Sequence, residues 1–317
     1  MKYIIIIGII ALIIWLLIML VLYVCFRKCF FASKKGTEGF SLPEGELYQK
    51  YRERMEGWYQ WVKTLPCTEL EITTFDGKKQ YARYFEHKKG AVTEIMLHGY
   101  RGSAERDLSG GVERAFRLGH NVILVELRTS GRSEGNVISF GINESRDCIK
   151  WIEKASEFLG KDAKFILTGI SMGASTVLMT AGKGVPPCVV GVLADCPFSS
   201  QEQIIKKTIG EMKLPAFMYR FVSAGAKVFG RFDLNELSPI EAVKTINVPV
   251  IFFHGEDDDF VPCEMSRLLF EKCNAPKQLV TVKNAGHGLA FPVDEEGYLK
   301  AASDFFTEHG IYKNSQN

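Results

Sequence analysis

The chain has 317 residues, 46% of them hydrophobic and 24% charged, which suits a packed protein of one large or two small domains and excludes a disordered one. Its net charge of +2 hides an asymmetry: residues 1–35 hold five basic side chains (Lys2, Arg27, Lys28, Lys34, Lys35) and no acid, leaving 34 basic against 37 acidic residues in the remainder. The basic excess sits beside an apolar segment, so no nucleic-acid surface is implied.

That segment runs from Tyr3 to Phe26 without a charge. As a helix it reaches roughly 36 Å, enough to cross a bilayer, and residues 1–30 read as a single-pass transmembrane anchor. The rival is a secretory signal peptide, but such apolar cores span only about 7–15 residues. Phe30 is also a poor −3 residue for cleavage after Ala32. Four basic residues follow the span and only Lys2 and the amino terminus precede it. Positive-inside bias therefore puts the large C-terminal part in the cytoplasm. Eight cysteines without a C-x-x-C pair agree with a reducing compartment. His and Cys never cluster along the sequence at ligand spacing, so no metal is expected.

Residues 31–66 read as a linker and an amphipathic helix. Phe31–Phe40 is the linker, and Leu42–Lys63 carries Leu47, Tyr51, Met55, Trp58 and Trp61 near a 3.6-residue period. This helix is expected to pack on the domain's edge, with the membrane surface as the alternative.

From 67 to 317 a third part alternates strands with helices. The strands are Thr68–Phe75, Gln80–His87, Val92–His98, Val122–Leu127, Phe165–Ile170, Val189–Asp195, Val248–His254 and Gln278–Lys283. Asp76-Gly77 marks a hairpin between the first two. Helical stretches include Asn143–Leu159 and Ser171–Ala181. The pattern predicts an α/β fold: an eight-stranded, mostly parallel sheet with helices on both faces. Residues 197–247 hold no clear strand and are rich in aromatics and Met. They are expected to be helical, as a lid or as a plain extension of the core.

Gly169-Ile-Ser171-Met-Gly173 matches G-x-S-x-G between a buried strand and a helix of small residues. A serine on so sharp a turn is strained, needs small neighbours, and presents its hydroxyl above the sheet at the positive end of a helix. Gly131-Arg-Ser133-Glu-Gly135 matches the same pattern, but it lies past its strand and no helix start follows. Context selects Ser171. Such a serine needs a general base, and the base needs an acid. His287, in Asn284-Ala-Gly-His-Gly after the last strand, suits the first role. His254 ends a strand before Gly255 and reads as structural. Among Glu256, Asp257, Asp258 and Asp259, the acid of choice is Asp258, with Asp259 and Asp257 as fallbacks and Asp195 as a distant alternative. Oxyanion donors are the amides of Met172, beside the serine, and of Tyr100 in His98-Gly-Tyr100-Arg-Gly102.

The order Ser171, Asp258, His287, preceded by His98-Gly-Tyr-Arg-Gly, resembles the α/β-hydrolase superfamily over about residues 67–310. Glu126-Leu-Arg128-Thr-Ser-Gly131-Arg-Ser133-Glu-Gly135 is similar to that family's D-x-R-G-x-G-x-S-x-G stretch, with Glu126 for Asp, Thr129 for Gly and Ser130 for His. The branch it resembles comprises bacterial esterases and serine-aminopeptidase-type hydrolases with a cap after the sixth strand. The resemblance implies no metal or organic cofactor. The expected activity is a serine hydrolase acting on acyl esters or amides, lipid-like ones in one reading, through an acyl-enzyme on Ser171. The alternatives are an aminopeptidase-like peptidase and a non-catalytic, membrane-tethered binding module.

Overall fold

The computed structural model describes residues 1–32, 39–42 and 45–312. Helix α1 (Lys2–Cys29) and helix α2 (Glu46–Thr64) come first. A hairpin follows, β1 (Thr68–Thr73) and β2 (Lys79–Phe85), turning through Gly77 at φ 79°. Then come β3 (Thr93–Leu97), α3 (Ala104–Arg117), β4 (Asn121–Val125), α4 (Ile142–Leu159), β5 (Phe165–Ile170), α5 (Met172–Gly182) and β6 (Val189–Asp195). Helices α6 (Gln201–Glu211), α7 (Met218–Gly225) and α8 (Pro239–Ala242) fill the strandless interval, with a π-turn over Ala226–Gly230 between the last two. The chain closes with β7 (Val250–Gly255), α9 (Cys263–Lys272), β8 (Lys277–Val282), α10 (Ala290–Val293) and α11 (Glu295–Glu308).

All eight expected strands form one sheet in the order β1-β2-β4-β3-β5-β6-β7-β8. Pairing is antiparallel for β1 with β2 and β2 with β4, and parallel everywhere else. Strands β3 and β4 are buried at every residue. Their near-continuous apolar runs are what a sheet covered on both faces demands. From β3 the chain steps to β4 on one side and to β5 on the other, so the loops after β3 and β5 diverge and leave a crevice at the strands' C-terminal ends, where ligands bind in open α/β sheets.

A buried ion network fixes the hairpin to this sheet. Arg128 sits between Asp147 on α4 and Asp76 in the hairpin turn, 2.8 Å from each. Burial outweighs the pull of that same guanidinium and raises the Asp147 carboxyl to about 6. Ser133, the serine of the second G-x-S-x-G, is wholly buried. Its hydroxyl donates to the Glu126 carbonyl at 2.6 Å and accepts from the Tyr81 amide at 3.0 Å. That serine stitches β2 to the loop after β4.

The two N-terminal segments are tied to the domain. On α2, Val62 is buried and Trp58 stacks on Phe291 of α10 at 5.5 Å, so this helix packs on the domain's edge. On α1, the residues from Tyr3 to Val21 face outward, whereas Leu22, Cys25 and Phe26 are buried, as is Phe30 just beyond. Phe30 meets the rings of Phe140 and Phe232 edge-on at 5.8 and 5.2 Å. The expected linker begins with paired residues: Phe31 bridges Val137, and the Ala32 amide donates to the Asn136 carbonyl. The middle of that linker, 33–38, lies outside the described residues.

Candidate active site

Ser171 follows β5 directly and precedes α5, at φ 56° and ψ −119°. Only close packing holds a non-glycine residue there. The two flanking glycines show how tight it is. A Cβ on Gly169 would lie 2.3 Å from the Gly173 backbone, and one on Gly173 would lie 2.0 Å from the Leu97 carbonyl oxygen on β3. The start of α5 is therefore pressed against two strands at once. The Ser171 amide donates to the Asp195 carbonyl at the end of β6.

Asp258 lies in the loop after β7 and His287 in the loop after β8. The structure brings both to Ser171: Nδ1 of His287 is 2.7 Å from Oδ2 of Asp258, and its Nε2 is 2.9 Å from the serine Oγ. Amides of Phe260 and Val261 donate to the other oxygen of Asp258 at 3.0 and 2.7 Å. Burial alone would raise this carboxyl, but hydrogen bonds from His254 and His287, with the Val261 amide, hold it down at about 2. An ionised Asp258 fixes the proton of His287 on Nδ1 and leaves Nε2 free to accept from the serine. The fallback acids Asp257 and Asp259 are exposed. Asp195 instead accepts from the Tyr298 hydroxyl at 3.0 Å, and burial raises its carboxyl to about 6.

The loop after β3 runs beside the serine. A Cβ on Gly99 would lie 3.6 Å from that of Ser171, and one on Gly102 would collide with the Asp107 carboxylate at 1.8 Å. Asp107 holds the loop by accepting from the Gly99 amide at 3.1 Å. His98 is buried, and burial keeps its ring from protonating. Its Nε2 accepts from the Leu127 amide, so Nδ1 donates to the Gly99 carbonyl at 2.9 Å. Tyr100 comes next in this loop, and its hydroxyl donates to the Cys29 carbonyl at the end of α1, at 2.7 Å. Met172 is the first residue of α5, so its amide has no acceptor inside the helix.

Three neighbours of the site escaped sequence reasoning in whole or part. Tyr48 on α2 donates to the His287 carbonyl at 3.0 Å. His254 bonds Ser266 at 2.6 Å and the Val261 carbonyl at 2.8 Å, as a structural residue should, yet its Nε2 also lies 3.2 Å from Asp258. Cys196, at φ 47°, sits behind the site, and donor atoms of Cys196, Asp258 and His287 fall within 4.8 Å of one another. The linear spacing hid this grouping because its members follow three different strands. Burial, with Asp195 and Asp258 nearby, drives the Cys196 thiol well above its usual range and keeps it protonated. The other two donors are already bonded to each other, so the set is poorly suited to an ion.

A profile described as the prolyl oligopeptidase family matches residues 137–310. The uncharacterized protein YqkD of Bacillus subtilis is 30% identical over 190 residues, 59% of this chain and 62% of YqkD. Lysophosphatidylserine lipase ABHD12 of Danio rerio is 25% identical over 207 residues, 63% of this chain and 51% of the lipase. The chain thus spans less than two thirds of either relative. Protein bem46 of Schizosaccharomyces pombe is 24% identical over 231 residues, 71% of each chain. Among solved structures, an esterase of Pyrococcus furiosus, Pf2001, superposes with a TM-score of 0.64 at 19% identity, covering 88% of this chain and 98% of its own. An esterase of Exiguobacterium antarcticum gives 0.55 at 17%, covering 75% and 98%. At these identities the structural likeness concerns the fold.

Proposed function

The chain belongs to the prolyl oligopeptidase family and has the α/β-hydrolase fold, and from that premise we propose that it is a hydrolase that cleaves carboxylic esters through an acyl-enzyme on Ser171. The observation that carries this reading is the continuous bonded line from Asp258 through His287 to the Ser171 hydroxyl, at 2.7 and 2.9 Å. In the proposed reaction, Nε2 of His287 takes the serine proton as Oγ attacks the acyl carbonyl. Asp258 keeps the imidazole in place and stabilises its cationic form. The amides of Tyr100 and Met172 bind the oxyanion. The imidazolium then protonates the leaving alcohol, and a water activated by the same nitrogen releases the acid.

Ester rather than amide chemistry is favoured by the names of the relatives, a lipase and several esterases. The domain plan we propose keeps residues 1–30 as anchor, 31–66 as linker and helix, and 67–317 as the hydrolase unit with 197–247 as its lid. Helix α1 is long and apolar enough to span a bilayer. The basic residues after it favour a cytoplasmic hydrolase unit.

The test is labelling of the full-length chain by a fluorophosphonate probe, followed by a screen of p-nitrophenyl esters and aminoacyl amides of graded length. Labelling lost in Ser171→Ala but kept in Ser133→Ala is expected. Equal labelling of Ser171→Ala and the parent would overturn the proposal. Turnover of amides alone would replace the esterase by a peptidase.

A further inference from the structure

We infer that the segment Met212–Arg231, which holds α7 and the π-turn, lies in the headgroup layer of an anionic bilayer. This rests on the proposed reading of α1 as a membrane span. No residue of α1 from Tyr3 to Val21 is buried, a run of 19 residues. At about 1.5 Å per residue this is roughly 28 Å, close to the ~30 Å hydrocarbon thickness. Burial begins at the next residue, and what buries it is the lid.

The contact is close. A Cβ on Gly225 would lie 2.6 Å from the Leu22 carbonyl oxygen, so a glycine is what lets α7 meet the α1 backbone. Phe229 meets the rings of Tyr23 and Phe26 at 5.3 and 5.9 Å. If Tyr3–Val21 fills the hydrocarbon core, Gly225 and Phe229 stand at the level where the helix leaves it.

The chemistry of the segment fits that depth. Met212, Leu214, Phe217 and Val228 are exposed, although the rest of the domain buries most side chains of this kind. Phe217, Phe221 and Val228 recur at positions that share one helical face. Between Met212 and Arg231 stand Lys213, Arg220, Lys227 and Arg231 and no acid, in a chain that is net acidic beyond residue 35. Lys227 pairs with Asp233 at 2.9 Å, whereas among the described residues Lys213, Arg220 and Arg231 have no acidic partner within 4.0 Å. Arg27 and Lys28, at the end of α1, are exposed as well. Apolar side chains interleaved with unpaired cations are what an anionic interface selects. The preceding α6 differs: its Lys206 and Lys207 are each paired with a glutamate of the same helix.

The test is hydrogen–deuterium exchange on the full chain in nanodiscs of phosphatidylcholine, with and without phosphatidylserine, and in detergent. Peptides over 212–231 should exchange several-fold more slowly in the anionic discs at low salt. That protection should fade in high salt and in the Lys213→Glu, Arg220→Glu variant, while α1 stays protected throughout. Protected α1 with unchanged exchange over 212–231 would sink the docking alone. An α1 as open in discs as a soluble helix would remove the span, and the docking with it. Protection that appears in detergent on raising the protein concentration would assign the surface to a second copy and overturn the proposal.

Discussion

The Tyr48 hydroxyl donates to the main-chain carbonyl of His287 at 3.0 Å, so a helix that precedes the whole sheet holds the loop that carries the imidazole. A part-buried hydrogen bond of this kind contributes about 1 kcal/mol net. Tyr48→Phe keeps the ring and deletes only this bond. Its kcat/KM on a soluble ester should fall about three- to tenfold with little change in the melting temperature. An unchanged kcat/KM would show that the loop keeps its place unaided.

Ser171 holds φ 56° with a Cβ attached, which costs on the order of 1 kcal/mol relative to glycine. Ser171→Gly should therefore lose activity and gain roughly that much stability in urea unfolding. A variant no more stable than Ser171→Ala would mean that the elbow is not strained.

Ser133 and Arg128 are expected to matter for stability and not for chemistry. Ser133→Ala leaves the Tyr81 amide without its partner and should cost about 1–3 kcal/mol while labelling at Ser171 persists. Arg128→Met strands Asp147 in the interior and should cost about 3–5 kcal/mol. Urea titrations read both. A Ser133→Ala protein that is stable but unlabelled would contradict this division of roles.

Burial raises the Asp195 carboxyl to about 6 in the folded protein, against about 3.9 in an unfolded chain. Between those values the folded state keeps a proton that the unfolded state has released. Unfolding free energy from this group therefore falls as pH rises from about 4 to about 6, then levels off. Asp195→Asn should make that part of the stability profile less steep, the Asp147 carboxyl, also raised to about 6, supplying the slope that remains. A parent and variant with parallel profiles over this range would refute the assignment.

The end of α1 belongs to the core. Phe30 is fully buried between Phe140 and Phe232, and Cys29 accepts from Tyr100. A chain cut before Leu22 should keep its melting temperature. One cut after Ala32 loses the burial of Phe30, about 1.5–3 kcal/mol, together with the support of the loop that carries Tyr100. It should melt lower and hydrolyse more slowly. Equal stability of the two truncations would show that the anchor ends where its apolar run does.

These features differ in how plainly the sequence announced them. All eight strands were legible, because strands buried on both faces leave unbroken apolar runs between turns. The choice of Ser171 over Ser133 was legible because strand and helix flank only the former. Asp258 could be favoured over Asp257 and Asp259, although the two amides that fix it, from Phe260 and Val261, are visible only in three dimensions. The roles of Tyr48 and His254, and the grouping of Cys196 with Asp258 and His287, were hidden for one reason: each joins residues from separate strands or helices, and no local period records such a meeting. The packing of Leu22, Cys25 and Phe26 against the domain was not legible, because these residues continue the apolar run from Tyr3 and composition does not separate a lipid-facing side chain from one buried in protein.

Cys196 has a practical consequence for anyone assaying this protein. Its sulfur is sealed from solvent, yet it adjoins the aspartate and imidazole on which the proposed chemistry depends. An alkylating reagent that reached it during a transient opening would wedge bulk against both groups and stop turnover. Slow inhibition by iodoacetamide would then mimic a thiol nucleophile, when it measures only how often the end of β6 breathes.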